Sequence, residues 1–481
     1  MINGINVVNN APSEAFKKVS VVSASKIEGG TSSICADNSK SLNNVSLPSF
    51  GQASNVQLKT SLTTEEEQKK FAEITKSLSS SNRNKLNVLL KNGRLLNCES
   101  NDKSSTLDNL YKIISQKRAN GLDSKGILND VVVALDNPYT ITQKFGDVPT
   151  PVANEILNNQ YRYATREAAP SSNLLETFKQ SGALPKLQPI TRQSLNVVSS
   201  SCVAASIQFN LAHKNPAEYA RIAEGLSSQN TSVTKNIKLT NIAPGDVDAM
   251  WLLKEFKVPH KQLDWENVEV RMAPDKNAIV RAQIQSQPSY RDSGERSPVD
   301  VLMQSTFMNI GSQHTYTALT DIRTGLLNPD DRGLTEFEKN LAEVLAEGKG
   351  KLSVRYQILD DTGKIIGYEC PQSNTLKHIK DALNMGENVI VGYTHTDSEN
   401  RVINGHEITI VGVEKDKRGK EVFVCNDTDD FKDAPVKYDV QYLLPKIHHA
   451  GLPQAVLKDD VQIVENWVEV LNQYKNNQNV A

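Results

Sequence analysis

Cys202 opens the apolar run in "SSSCVAASIQFNLAHKNP", with three serines ahead of it and a break at Asn215-Pro216 behind it. The run predicts a helix whose first turn holds Ser200, Ser201 and Cys202 and whose face carries Ala205, Phe209 and Ala212. A thiol is a good nucleophile only as thiolate, and a helix N-terminus favours that form through its unpaired N–H groups and its dipole. Such a nucleophile needs a base, and the base needs a partner that orients it. Among eight histidines, His406 follows the turn pair Asn404-Gly405 and opens the strand "HEITIVGV", where the ring can face a cleft while the strand fixes its backbone. The next strand, "EVFVC", ends in Asn426-Asp427, and antiparallel pairing brings that end close to His406. An amide or carboxylate there can hold the tautomer of the imidazole and leave its other nitrogen to the thiol. Only one of the two can face His406, because a one-residue change of register turns a strand's side chains over. Asn426 is placed first and Asp427 second.

The elements around these residues divide the chain. Residues 1–61 are dominated by Ser, Asn, Lys and Gly without apolar periodicity and read as a disordered leader. From Thr63, "TTEEEQKKFAEITKSL" carries a glutamate-rich helix start, and three further helical pieces follow, each ended by Gly or Asn-Pro. Residues 62–185 are therefore expected to be a helical region, placed where a propeptide-like plug or a targeting domain would sit. Residues 200–311 read as mostly helical. After Lys351, "KLSVRYQILDDTGKIIGYEC" predicts a hairpin, and "TLKHIKDALNMGENVIVGYTHT" a helix, a Gly turn and a buried strand. A helical half leading into an antiparallel sheet half is an α+β arrangement. A C-terminal helix and tail are expected over 451–481.

This order of elements resembles the papain-like cysteine peptidases in their broad sense, including the calpain-like and bacteriocin-processing types. The resemblance covers about residues 190–445 and rests on Cys202 opening a helix, "IKDALNMGENVIVGY", "NGHEITIVGV" and "VFVCND". It implies a catalytic domain over 186–450, with Cys202 as nucleophile, His406 as base and Asn426 or Asp427 as the third member. It also implies a side-chain amide six residues before the cysteine in the oxyanion hole, which here is Asn196, with Gln193 as the alternative donor. The C-G-[SA]-C-[WY] signature of the papain subfamily is replaced by "SSSCV". The Cys-to-His separation of 204 residues exceeds the family's roughly 130 to 150. An insertion between about Asp264 and Lys351, bordering the cleft, is expected to supply the difference.

The resemblance implies a hydrolase acting on peptide or isopeptide bonds of a protein or peptide substrate, with no cofactor and no metal. The same triad with an amine as acceptor would be a transglutaminase-like acyl transferase, and a silent triad would leave a papain-like interaction protein. His395, at the end of the preceding strand, is the rival base. His448-His449 reads as a surface pair, since neighbours on a strand point to opposite faces. The acidic run "NDTDDF" lacks the EF-hand pattern and reads as a solvated turn. Formal net charge is -2 over 481 residues, which gives no electrostatic drive toward nucleic acid. No apolar run reaches the roughly 18 residues of a membrane span. The start lacks the order of a secretory signal, so a cytoplasmic protein, or one exported without a cleaved signal, is expected. Five scattered cysteines with no CxxC pair argue against a disulfide framework or structural zinc.

Overall fold

The computed structural model describes residues 58–144, 200–242, 247–258, 267–286, 295–318, 321–323, 333–429 and 433–457, with Asn472 and Asn476. Residues 1–57 of the expected leader and the linker near 185 lie outside the described residues, and of the C-terminal helix expected over 451–481 the described start, 451–457, is the end of a strand and a 3-10 turn. Four helices come first: α1 (Glu65–Ser77), α2 (Ser80–Lys91), α3 (Thr106–Ser115) and α4 (Ser124–Asp136). The start of α1 follows from its sequence, because Thr64 accepts from the Glu67 N–H at 3.1 Å while the Glu67 carboxylate takes the Thr64 N–H at 3.3 Å.

Helices α5 (Cys202–Lys214) and α6 (Pro216–Ser227) meet at Asn215, whose side chain caps α6 by accepting from the Glu218 N–H, with Pro216 at the first helical position. The next stretch is not wholly helical. Strands β1 (Val233–Ile237) and β2 (Val268–Met272) pair antiparallel on either side of α7 (Ala249–Glu255), each alternating buried and exposed, with Lys235 at the middle inward position of β1 paired to Glu218 at 3.0 Å. Then come α8 (Ala278–Gln285), α9 (Pro298–Gly311), the short ladder of β3 (Tyr316–Thr317) and β4 (Ile322–Arg323), and α10 (Glu336–Glu347).

The second half is built on β5 (Lys351–Arg355), β6 (Gln357–Leu359), β7 (Ile365–Tyr368), α11 (Gln372–Asn384), β8 (Val389–Thr396), β9 (Val402–Lys415), β10 (Glu421–Asn426), β11 (Val436–Asp439), α12 (Val440–Leu443) and β12 (Ile447–Pro453). An antiparallel six-stranded sheet runs in the order β11-β10-β9-β8-β12-β5. The expected hairpin is split: β6 and β7 pair around the turn closed by Gly363, at φ +77°, while β5 pairs with β12 instead. A boundary at residue 450 falls inside β12, which is an interior strand of the sheet.

Two apolar cores result. One joins the N-terminal helices to the later ones, so that Ile74, Leu110 and Val132 share a cluster with Phe209, Ile222 and Phe307. The other lies between one face of the sheet and α11, with Val391, Ile408, Ile410 and Phe423 against Ile379 and Ala382. The stretch expected as a cleft-side insertion contributes to the first core. Every position of α9 is buried, and its polar side chains find partners there: Gln208 donates to Asp300 at 2.7 Å, Gln304 to Gln208 at 2.9 Å and Ser305 to Asp275 at 3.0 Å. A helix that carries Asp300, Gln304, Ser305, Thr306 and Asn309 can be core when its polar groups are satisfied within the protein. Among the described residues no helix is long and apolar enough to cross a membrane.

Candidate active site

Cys202 is the first residue of α5, half-buried against the helical core. The N-cap, Ser201, makes no side-chain capping bond, because its hydroxyl is drawn inward: it donates to Gln304 Oε1 at 3.2 Å and accepts from Arg296 Nη2. Ser200 is held in the same way, its N–H donating to Asp321 Oδ2 at 3.1 Å and its hydroxyl to the Asp321 carbonyl. Beneath both serines, Arg296 and Asp321 form a two-pronged ion pair at 2.8 and 2.9 Å, with both side chains at most 1% exposed. The Tyr316 hydroxyl also donates to Asp321. Ser200 and Ser201 are thus anchored from below, and the first N–H groups of α5 receive no capping oxygen from Ser201.

His406 lies on β9 opposite Tyr393 of β8, and the two rings meet edge-on with centroids 5.6 Å apart. Its Nε2 is 2.8 Å from Asp427 Oδ1. Asp427 is itself oriented, accepting from the Tyr438 hydroxyl at 2.6 Å and from the Asp429 N–H at 3.1 Å. The imidazole's other hydrogen-bonding partner is the sulfur of Cys202. With Nε2 engaged by Asp427, Nδ1 is the nitrogen left to the thiol. Burial works against a charged ring here, but the bonds to Asp427 and Cys202 outweigh it and push His406 up to about 10. Burial also opposes the Asp427 carboxylate, yet His406, Tyr438 and the Asp429 N–H together hold it below the usual carboxylate range.

Asp427, not Asn426, is therefore the partner of His406. Asn426 sits opposite Thr409 in the ladder, buried, with no hydrogen-bond partner for Nδ2 among the described residues. The reason is the two-residue period of a strand. His406, Ile408 and Ile410 share a face, Cys425 pairs with Ile410, and the next residue on Cys425's face is Asp427. A register shift between Val424 and Cys425 resets the count midway. His395 stands opposite Asn404, farther along the β8/β9 pair, with its ring 5.1 Å from that of Tyr393. Asn196 and Gln193 lie outside the described residues.

The histidine pair His448-His449 is not a surface feature. A register shift between Ile447 and His449 interrupts the alternation of β12, and the two rings turn together, with Nδ1 atoms 2.9 Å apart. His449 is 8% exposed.

Residues 141–144 form a strap between the two halves of the site. The Gln143 N–H and Thr142 Oγ1 donate to the carbonyl of Thr428 at 3.1 and 3.0 Å, next to Asp427. Gln304, which also holds Ser201, donates through Nε2 to the Thr142 carbonyl at 2.9 Å. Sequence reasoning passed over this strap, together with Tyr438, Arg296, Asp321 and Gln304. Tyr438 was open to inference from its place in the short strand after Asp427. The other residues lie 95 to 121 positions from the serines they hold and carry no local signal.

Comparison of the chain with protein-family models, with curated proteins and with solved structures finds no match.

Proposed function

We propose that this chain is a papain-like cysteine peptidase that hydrolyses peptide or isopeptide bonds. The observation that carries the reading is the linear contact Cys202, His406, Asp427, with Cys202 at a helix start whose cap hydroxyl is turned away. An imidazolium beside the sulfur favours thiolate, and Asp427 holds both the charge and the tautomer. The thiolate adds to the carbonyl carbon, and the resulting oxyanion takes its hydrogen bond from the backbone N–H of Cys202. As the tetrahedral adduct collapses, the C–N bond breaks and the leaving amine takes the proton from His406. Neutral His406 then deprotonates a water, whose oxygen attacks the thioester and releases the acid and the free enzyme.

The test is labelling with an epoxide inhibitor of cysteine peptidases, the adduct located by mass spectrometry. The expected result is modification at Cys202, absent in Cys202→Ala and slowed at least about a hundredfold in His406→Ala, the low end of general-base contributions. Labelling of Cys98, which is exposed, in preference to Cys202 would remove the basis of the proposal.

A further inference from the structure

A second group of chemistry-bearing side chains shares no residue with the Cys202, His406 and Asp427 site. Glu336 of α10 and His448 and His449 of β12 offer one donor atom each, all within 4.8 Å of one another. His448 Nδ1 is 2.9 Å from His449 Nδ1 and 3.8 Å from Glu336 Oε2. A tetrahedral zinc ion with bonds of about 2.0 to 2.1 Å sets its ligands roughly 3.3 Å apart, and the two observed separations bracket that value.

The surroundings have the form of a built ligand shell. The strand irregularity at His448 brings both rings to one side, which regular alternation forbids. Room for His449 comes from Gly392 on the neighbouring strand, where an added Cβ would lie 2.3 Å from His449 Cε1 and 2.5 Å from Glu407 Oε1. Glu407 Oε1 approaches His449 Nε2 at 2.7 Å, the carboxylate-to-histidine contact that leaves Nδ1 as the ligating nitrogen. Arg355 grips Glu336 through Nε, at 3.2 Å from Oε2, and through Nη2. Beside the ligand atoms, which bond to one another or to Arg355, one neighbouring carboxylate is incompletely matched. Glu407, 6% exposed, has no hydrogen-bond partner for Oε2 among the described residues, and the close approach of His449 Nε2 to Oε1 is off the line of a good hydrogen bond. Buried polar atoms of this kind are seldom left unmatched. The His448 side chain keeps 20% exposure, which gives an ion a way in.

We propose that Glu336, His448 and His449 bind one divalent first-row cation of the zinc class, with Glu407 orienting His449. Two imidazoles and a carboxylate suit zinc over calcium or magnesium, which prefer all-oxygen shells. The ion would fasten the start of α10 to β12. This inference does not depend on the peptidase reading.

The test uses full-length Cys202→Ala protein, so that the thiol cannot contribute, stripped of metal with a chelator and titrated with ZnCl2 by calorimetry and with CoCl2 by visible absorption. One equivalent of each ion is expected to bind. The cobalt bands should be those of a four- or five-coordinate nitrogen and oxygen site without thiolate charge transfer. His448→Asn should abolish binding, and Glu407→Gln should weaken it by about 10- to 100-fold. Absence of saturable binding, or undiminished binding by a folded His448→Asn protein, would overturn the proposal. If His448→Asn does not fold, the cobalt spectrum of the Cys202→Ala protein decides, since six-coordinate aquo-like bands also overturn it.

Discussion

Replacing Asp427 by Asn removes one charge while keeping the shape of the group that orients His406. The amide oxygen can still accept from His406 Nε2 and from the Asp429 N–H, and the amide nitrogen can donate to the Tyr438 hydroxyl, so all three contacts of the carboxylate have neutral counterparts. What is lost is the charged character of the bond to the ring. Exchange of a charged hydrogen bond for a neutral one costs about 1 to 2 kcal/mol. Coulomb attraction at the observed 2.8 Å would be about 6 kcal/mol at an effective dielectric of 20, an upper bound. At 1.36 kcal/mol per pH unit, the titration midpoint of His406, pushed up to about 10 in the native protein, should fall by about one to four pH units in Asp427→Asn. The assay is NMR of protein carrying labelled histidine, with His406→Gln to assign the resonance. The stability consequence has a definite sign. His406 is raised above its ordinary 6.5, so its contribution is full below about pH 6.5 and is lost as pH rises through about 10. Asp427 is held below its ordinary 3.8, so its side of the same pair is present above about pH 4 and is lost on acidification. The gap in melting temperature between native protein and Asp427→Asn should therefore be widest between about pH 4 and 6.5 and close toward pH 10. A midpoint within about 0.3 pH units of native in Asp427→Asn would refute the assignment of Asp427.

Asn426→Ala, by contrast, is expected to leave the His406 midpoint and the rate of Cys202 alkylation within about twofold of native, because Asn426 makes no bond to the ring; a tenfold loss of alkylation rate would restore Asn426 to the site. Arg296→Met strands the buried Asp321 carboxylate and should cost about 3 to 5 kcal/mol in urea unfolding, with part of the loss recovered in Arg296→Met/Asp321→Leu. Gly392→Ala drives a methyl group into His449 and Glu407 and should cost about 1 to 3 kcal/mol, read as a lowered urea midpoint; an unchanged midpoint would mean that the strands separate more easily than the packing implies.

The parts of the site that were legible in the sequence are those set by local pattern. The helix start at Cys202 and the strand end at Asn426-Asp427 follow from periodicity within about ten positions, whereas the turn expected at Asn404-Gly405 is not one: β9 begins at Val402, Asn404 and Gly405 pair with His395 and Thr394, and His406 lies inside the strand. The choice between Asn426 and Asp427 depended on a ladder whose register shifts between Val424 and Cys425, which no local pattern announces. The same limit explains the misreading of His448-His449, where alternation was the right rule for a regular strand and the strand is irregular at that point. The stretch from Asp264 to Lys351 looked peripheral because it is polar. Among its described residues Asp275, Asp300, Gln304 and Ser305 are instead paired inside the helical core, and composition does not distinguish a solvated amide from a satisfied one. The papain-like reading of the fold goes further than the mixed α and antiparallel β architecture observed, and it rests on the triad geometry.

The strap at residues 141–144 has a consequence for the order in which the protein is made. Thr142 leaves the ribosome early, yet its partner Thr428 lies 286 positions later. Asp427 follows Cys202 by 225 residues, which at about 5 to 20 residues per second amounts to roughly 10 to 45 seconds of synthesis. Throughout that interval the nascent chain carries Cys202 without Asp427, for most of it without His406 as well, and the strap lacks its Thr428 side. The contact of Cys202 with His406 and Asp427 is therefore complete only when the last strands of the sheet have been made.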